Sequence, residues 1–244
     1  MVPFNYSLNL SDMNWKDISI SPDWTHFRYR GAVLFGQRFK AVLKFKGRGL
    51  APVQDKNGWR IINPQGETVI PGPFRAAWGF YEGRCAVEDA SGCYHIDESG
   101  QAVYAARYAW CGNFQEGACP VADSAGGYFH LAADGSRLYP QTYRYVGDYK
   151  DGLACVMLAS GRFKHIDAQG QYPYEAEFHD LGVYHKGIAT ARDTQGWFHL
   201  DRSGQPLYAQ RYAQLEPFYN GVAFATDFEG RKCVVRSGGK AEAR

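Results

Sequence analysis

Glycine recurs in this chain at a fixed interval, in two registers. Gly31, Gly66, Gly100, Gly135, Gly170, Gly204 and Gly238 follow one another at 34 or 35 residues. Gly49, Gly83, Gly117, Gly152, Gly187 and Gly221 repeat the same spacing. Two ladders of one period define a tandem repeat, and the repeat restricts the chain to a solenoid, a propeller or a related array. A 34-residue period also suits tetratricopeptide units. Those need two helices per copy, and two Gly-marked turns with alternating apolar residues do not fit helices.

The copy beginning at Gly83 shows the unit. GRCAVED reads as a strand, Ala90 to Gly92 as a turn, CYHIDESG as a second strand ending in a tight Ser-Gly turn, and QAVYA as a third strand. RYAWCGNFQEG returns to the next copy as a loop or a short fourth strand. A weak strand around Asp17–Ser21 precedes the first clear one, Trp24–Tyr29, and the last copy stops after its second strand at Val234–Arg236. The expected fold is all-β: tandem repeats of about 34 residues, each with two to four short strands, closed as a propeller-like ring or open as a β-superhelix. Residues 1–23 form an N-terminal segment that can belong to the first repeat, 24–238 the repeat domain of about six units, and 239–244 a linker-like tail. A ring is favoured, with incomplete first and last copies sharing one sheet.

Aligned slots describe the core. Two residues after each leading glycine stand Ala51, Cys85, Cys119, Ala154, Ala189 and Ala223; two further on stand Val53, Val87, Val121, Val156, Ala191 and Ala225. Residues at i and i+2 of a strand share a face, so this small face belongs where backbones crowd. Aromatic slots alternate with it. Trp24, Trp59, Tyr128, Phe163 and Trp197 open the second strand, with Cys93 and Arg231 as exceptions. Tyr104, Tyr139, Tyr174 and Tyr208 stand four residues past the turn glycine, with Phe35 and Ile70 in the other copies. Phe39, Phe74, Tyr108, Tyr143, Phe178 and Tyr212 follow four residues later, and Phe80, Phe114, Tyr149, Tyr184 and Phe218 precede the leading glycine by three. Phe45 fills that last slot one residue out of step. These rings account for most of the 38 aromatics and belong chiefly to the core between copies.

Composition excludes several functions. A formal net charge of +2 lacks the basic excess of a nucleic-acid binder, so no nucleic acid is expected. No apolar run is long enough for a membrane helix, and Met1 to Trp15 lacks the basic and apolar regions of a secretory signal, so no membrane and a cytoplasmic location are expected. The six cysteines show no CxxC spacing; free thiols in a reducing compartment are the simplest reading. GxSxG, HExxH and GxxxxGK[ST] are all missing, so no catalytic residues and no cofactor are assigned.

GLAPV at Gly49–Val53, GLACV at Gly152–Val156, and the HID or HLD of His95–Asp97, His165–Asp167 and His199–Asp201 resemble the WG-repeat (KWG) family, across Trp24 to Gly238. The resemblance implies a bacterial interaction or recognition module, often part of a larger protein, with no catalytic residues to carry over. This chain departs from the motif. Thr25, Arg60 and Phe198 replace the glycine after the Trp, histidine mostly replaces the following aromatic, and Cys93 and Arg231 replace the Trp itself.

Histidine fills one slot in five copies: His26, His95, His130, His165 and His199, with Ile61 and Cys233 in the others. Asp97, Asp167 and Asp201 follow at i+2, and Asn63 holds that place in another copy. Convergent imidazoles could ligate a metal. The competing reading is a duplicated buried histidine packed on aromatics and bonded to a carbonyl, with Asp or Asn capping a turn. The leading expectation is a non-catalytic module that binds a protein or peptide through loops, with Trp78, Tyr81, Trp110 and Asn113 as surface candidates. The alternatives are a substrate-recognition domain of a larger bacterial enzyme and a glycan-binding or hydrolytic β-repeat protein.

Overall fold

The computed structural model describes residues 13–36, 38–237 and 241–243. Gly238, the start of the N-terminal segment and residues 239, 240 and 244 of the tail lie outside these. Two compact units divide the chain, Met1–Phe114 and Gln115–Arg244. Among the described residues the architecture is all-β in seven small antiparallel sheets of three or four strands, with one 3-10 turn at Trp15–Asp17.

In the first unit, β1 (Ile18–Ile20), β2 (Phe27–Tyr29) and β3 (Ala32–Val33) form one sheet. β4 (Ala41–Val42), β5 (Ala51–Asp55), β6 (Gly58–Ile62) and β7 (Thr68–Phe74) form the next, and β8 (Ala76–Tyr81), β9 (Arg84–Asp89) and β10 (Gly92–Asp97) a third. β11 (Trp110–Cys111) ends the unit. The second unit begins with β12 (Ala118–Ala122) and β13 (Tyr128–Ala132). β14 (Tyr145–Val146), β15 (Ala154–Met157) and β16 (Phe163–Ile166) make one of its sheets, and β17 (Asp180–Leu181), β18 (Ala189–Asp193) and β19 (Gly196–Leu200) another. β20 (Gln214–Leu215), β21 (Val222–Thr226), β22 (Lys232–Arg236) and β23 (Ala241–Ala243) complete it. β1 is the weak first strand expected around Asp17–Ser21 and pairs Ile18 with Tyr29. β23 lies within the linker-like tail and pairs with β22.

The sequence repeat and the sheet are out of phase. The return segment of one copy supplies the first strand of the next sheet, as where β14 sets Tyr145 against Met157 of β15. The third strand expected in each copy is corrected by the structure. Among the described residues β7 is a long strand in that place, β3 and β23 are short ones of two and three residues, and QAVYA contributes one isolated bridge, Ile96 to Ala102. The segment leaves the ladder because its tyrosine turns back toward the histidine slot. β7 holds Ile70 at that place, opposite Ile61, and stays in the sheet.

Five of the six leading glycines are the second residue of a two-residue hairpin turn. Glu82–Gly83, Glu116–Gly117, Asp151–Gly152, Lys186–Gly187 and Asn220–Gly221 all carry positive φ at both positions, as in Asp151 at 53° and Gly152 at 77°. This is the type I′ geometry that matches strand twist, and it needs a glycine where a Cβ would be strained. The earliest copy turns through three residues instead, Gly47-Arg48-Gly49, between bridged Lys46 and Leu50. That extra residue is why Phe45 is displaced by one.

The core lies in layers between successive sheets. Phe27, Phe39, Val42, Phe45, Val53 and Ile62 make one cluster, and Ile61, Ile70, Phe80, Cys85, Val87 and Ile96 the next. In the second unit Leu153, Leu181, Tyr184, Ala191, Phe198 and Leu200 form the corresponding layer. Every residue of the small face is buried, Ala51 through Ala225. Consecutive turns are also linked in that unit. The Glu116 carboxylate accepts the N–H groups of Asp151 at 2.9 Å and Gly152 at 2.8 Å, and the Asp151 carboxylate accepts that of Gly187 at 2.8 Å.

Candidate functional site

The histidine slot resolves into one repeated hydrogen-bond motif. In β10, His95 has Nδ1 at 2.6 Å from the Tyr104 hydroxyl and Nε2 at 2.8 Å from the Gly112 carbonyl. His130 in β13 meets Tyr139 at 2.5 Å and Gly147 at 2.8 Å. His165 in β16 meets Tyr174 and, at 2.9 Å, Gly182; His199 in β19 meets Tyr208 at 2.5 Å and Glu216 at 3.0 Å. A carbonyl only accepts, so Nε2 carries the proton and donates it. Nδ1 therefore accepts from the tyrosine. An aromatic ring closes each imidazole from the side: Phe114, Tyr149, Tyr184 and Phe218 lie with centroids 4.7, 4.6, 4.5 and 3.9 Å away. All four histidines are fully buried. Burial drives each imidazole down to about 4, so it is neutral at pH 7.

The carbonyl partner sits just past the first strand of the following sheet. Gly147 follows β14 and Gly182 follows β17, so His130 and His165 each join one sheet to the next. The exceptions follow the same chemistry. Where Ile61 replaces histidine, Ile70 replaces tyrosine, and the carbonyl at the matching place, Trp78, accepts a hydrogen bond from the Cys85 thiol at 2.9 Å. Burial pushes that thiol up to about 12, which keeps it a donor. Where Phe35 replaces tyrosine, His26 turns Nδ1 to the Thr25 hydroxyl at 3.2 Å, with Asp23 at 3.6 Å.

Both ring nitrogens of His95, His130, His165 and His199 are thus engaged locally. Among the described residues no group of three or more His, Cys, Asp or Glu is placed to hold a metal. The acids at i+2 serve the turns: Asp97 Oδ1 accepts the N–H groups of Ser99 and Gln101, and Asp201 those of Ser203 and Gln205. The serine hydroxyls hold both carboxyls below their usual range.

Of the surface candidates, Trp110 on β11 is 40% exposed. Trp78 is half-buried on β8, Tyr81 ends that strand under the Lys46 ammonium, and Asn113 is half-buried between Gly112 and Phe114. Among the described residues the exposed rings besides Trp110 are Trp24, Tyr145, Tyr172, Tyr219, Phe224 and Phe228. Only Trp24 comes from a repeated slot. Phe224 was readable from the strand alternation, between buried Ala223 and Ala225, and Tyr219 from its place before the Asn220–Gly221 turn. Phe228 gave no such signal.

The family model for WG containing repeat matches residues 59–89 and 96–122. Over those two stretches the chain matches the WG-repeat pattern that its motifs suggest. No curated protein matches the chain. Among solved structures, the computationally designed Ika8 protein superposes with a TM-score of 0.52 at 13% identity, covering 92% of this chain and 83% of that one. BamB from Moraxella catarrhalis superposes at 0.51 and 14% identity, covering 93% and 84%. The likeness is one of fold: repeated small antiparallel sheets of propeller-like type.

Three outcomes follow. An imidazole lowered to about 4 in the folded chain and near 6.5 in the unfolded chain binds fewer protons when folded. Its stabilisation is complete above pH 6.5 and falls away between pH 6.5 and 4, by a few kcal/mol per histidine at about 1.36 kcal/mol per pKa unit. Urea midpoints measured across that window should drop with acid, and His130→Gln should flatten the slope. Tyr139→Phe should cost about 1–3 kcal/mol by orphaning a buried acceptor. The pair His130→Ile with Tyr139→Ile should cost less than the sum of its single changes; additivity in a double-mutant cycle would contradict the linked pair.

Proposed function

We propose that this chain is a non-catalytic recognition module that binds a protein or peptide through aromatic side chains left on the rims of its sheets. One observation carries the reading. The repeated slots are consumed by the core, while the exposed rings come almost wholly from positions that differ between copies, with Trp110 at 40% and Phe228 at 62% exposure. Aromatic side chains are favoured at protein interfaces, where they bury large area with little loss of rotamer freedom. WG repeats and propeller-like folds commonly serve interactions, which supports the same reading. A bacterial cytoplasm as its setting, and service as the substrate-recognition part of a larger enzyme, belong to this proposal.

Trp110→Ala and Phe224→Ala should each lower recovery of a specific partner from lysate at least tenfold while the thermal midpoint holds. Equal recovery with both variants would defeat the reading.

A second reading has its own observation. Trp15, Trp24, Lys16, Ser21 and Lys44 line a groove of about 680 Å³ on the first unit, and Trp24 is 53% exposed. An indole face beside polar groups suits a sugar ring. A glycan array should then show binding that Trp24→Ala abolishes; a blank array dismisses this reading without touching the first.

A further inference from the structure

The last sheet of the second unit presents a face that the earlier sheets of that unit keep buried. There each second strand sets one residue directly opposite a residue of the strand before it: Pro120 with His130, Cys155 with His165, and Thr190 with His199. All six are buried, and the three histidines donate from this face to a carbonyl of the following sheet. In the last sheet the matching pair is Phe224 and Val234. Strand pairing thus puts Val234, and not Cys233, in the place that histidine holds in the other three. Phe224 is 48% exposed and Val234 half-buried.

Val222 is half-buried on the same face, since residues at i and i+2 of a strand point the same way. β20 flanks this apolar centre on one side. Glu216 donates its N–H to the Phe224 carbonyl at 2.9 Å and extends the register that sets Gln214 against Thr226, so its exposed side chain stands on the Phe224 face. The sister places in the unit are Gly147 and Gly182, and a Cβ on Gly182 would press on the Thr190 hydroxyl. β22 flanks the other side with Lys232, exposed and two residues from Val234 on the same face. The face therefore has an apolar centre, an acid on one flank and a base on the other.

We propose that this face binds the same face of a second copy of the chain. A two-fold axis between the two faces and parallel to their strands sets Phe224 against Phe224. It also turns the β20 flank of one copy over the β22 flank of the other, so Glu216 meets Lys232 on both sides. The two are offset by two residues, about 7 Å along the strand, which two long side chains span. Stacking on the first sheet of a second copy is a poor match, because the side of that sheet away from its core carries Ser19 and Arg28, both exposed. An apolar cover over those groups would strip their water without replacing it. β20, β21 and β22 present a face about 14 Å by 17 Å. That is well under the ~800 Å² per partner of a standard interface, so the dimer is weak and depends on concentration. The contact rests on the reading of exposed rings as contact residues and gives one of them its partner.

Sedimentation equilibrium of the purified full chain from about 10 to about 500 µM tests this. The expected result is a rising dimer fraction, with amide exchange in β21 and β22 slowed at the high end. Phe224→Thr, which installs the residue of the sister slot at Thr190, should weaken association at least tenfold with the far-UV circular dichroism unchanged. Glu216→Lys should weaken it as much, and adding Lys232→Glu should restore it, which a merely structural role would not do. Should a variant misfold, the concentration series and exchange map of the unmodified chain decide alone. A monomer throughout the range would overturn the proposal, as would a dimer that Phe224→Thr leaves intact. Loss of lysate capture by Phe224→Thr while the purified chain stays monomeric would assign the face to another protein and overturn it equally. A monomer leaves recognition through Trp110 untouched, so the two readings fail separately.

Discussion

The buried imidazole that accepts from a tyrosine and donates to a carbonyl of the next sheet is the interaction on which the rest of the structure depends. Sheets of three short strands cannot each enclose a core, so neighbours must be held face to face. Apolar layers supply most of the energy of that contact but little of its register, because hydrophobic attraction has no direction. A hydrogen bond inside the layer does have direction. An unpaired buried donor or acceptor costs about 1–3 kcal/mol, so any slip that parts the imidazole from either partner is penalised. Tyr139, His130 and the Gly147 carbonyl therefore fix where one sheet sits against the next.

The substituted copies test that logic. Removing one partner of a buried hydrogen bond is costly, whereas replacing both with apolar groups is nearly neutral. The chain does the latter at Ile61 and Ile70, which lie in one cluster. The third member cannot be removed, because it is main chain, and Cys85 meets it with a thiol donor. At the sister positions, where an imidazole already serves the carbonyl, three of the small residues are alanine: Ala154, Ala189 and Ala223. The small slot thus does more than fill space, at least in the Cys85 copy.

Much of this was legible in the residues, because glycine at a positive φ, a buried small face and an acid before a turn are each local requirements with few solutions. Asp97 and Asp201 cap their turns as such residues do, and most slot aromatics are core. The link from histidine to tyrosine was harder to read. The two slots lie nine residues apart on segments that the alternation assigns to successive strands, and only the departure of QAVYA from the sheet brings the hydroxyl to the ring. The acceptor, seventeen residues on, is a backbone atom and carries no side-chain signature. Of the surface, Trp110 was legible as an aromatic on a segment that varies between copies, while Phe228 carried no signal in the sequence.

A repeat of this kind separates two kinds of position. Slots that close the histidine motif are coupled in threes, so a change at one needs a matching change at the others, as Ile61, Ile70 and Cys85 show together. Positions outside the motif carry no such obligation, and there one copy can differ from the next at little cost to stability. Trp110, Tyr145, Asp180 and Gln214 occupy one such slot across successive copies and share no chemistry. Variation that the core neither requires nor resists is available to recognition. A surface built this way need not be periodic, and it can fit a partner that has no repeat of its own.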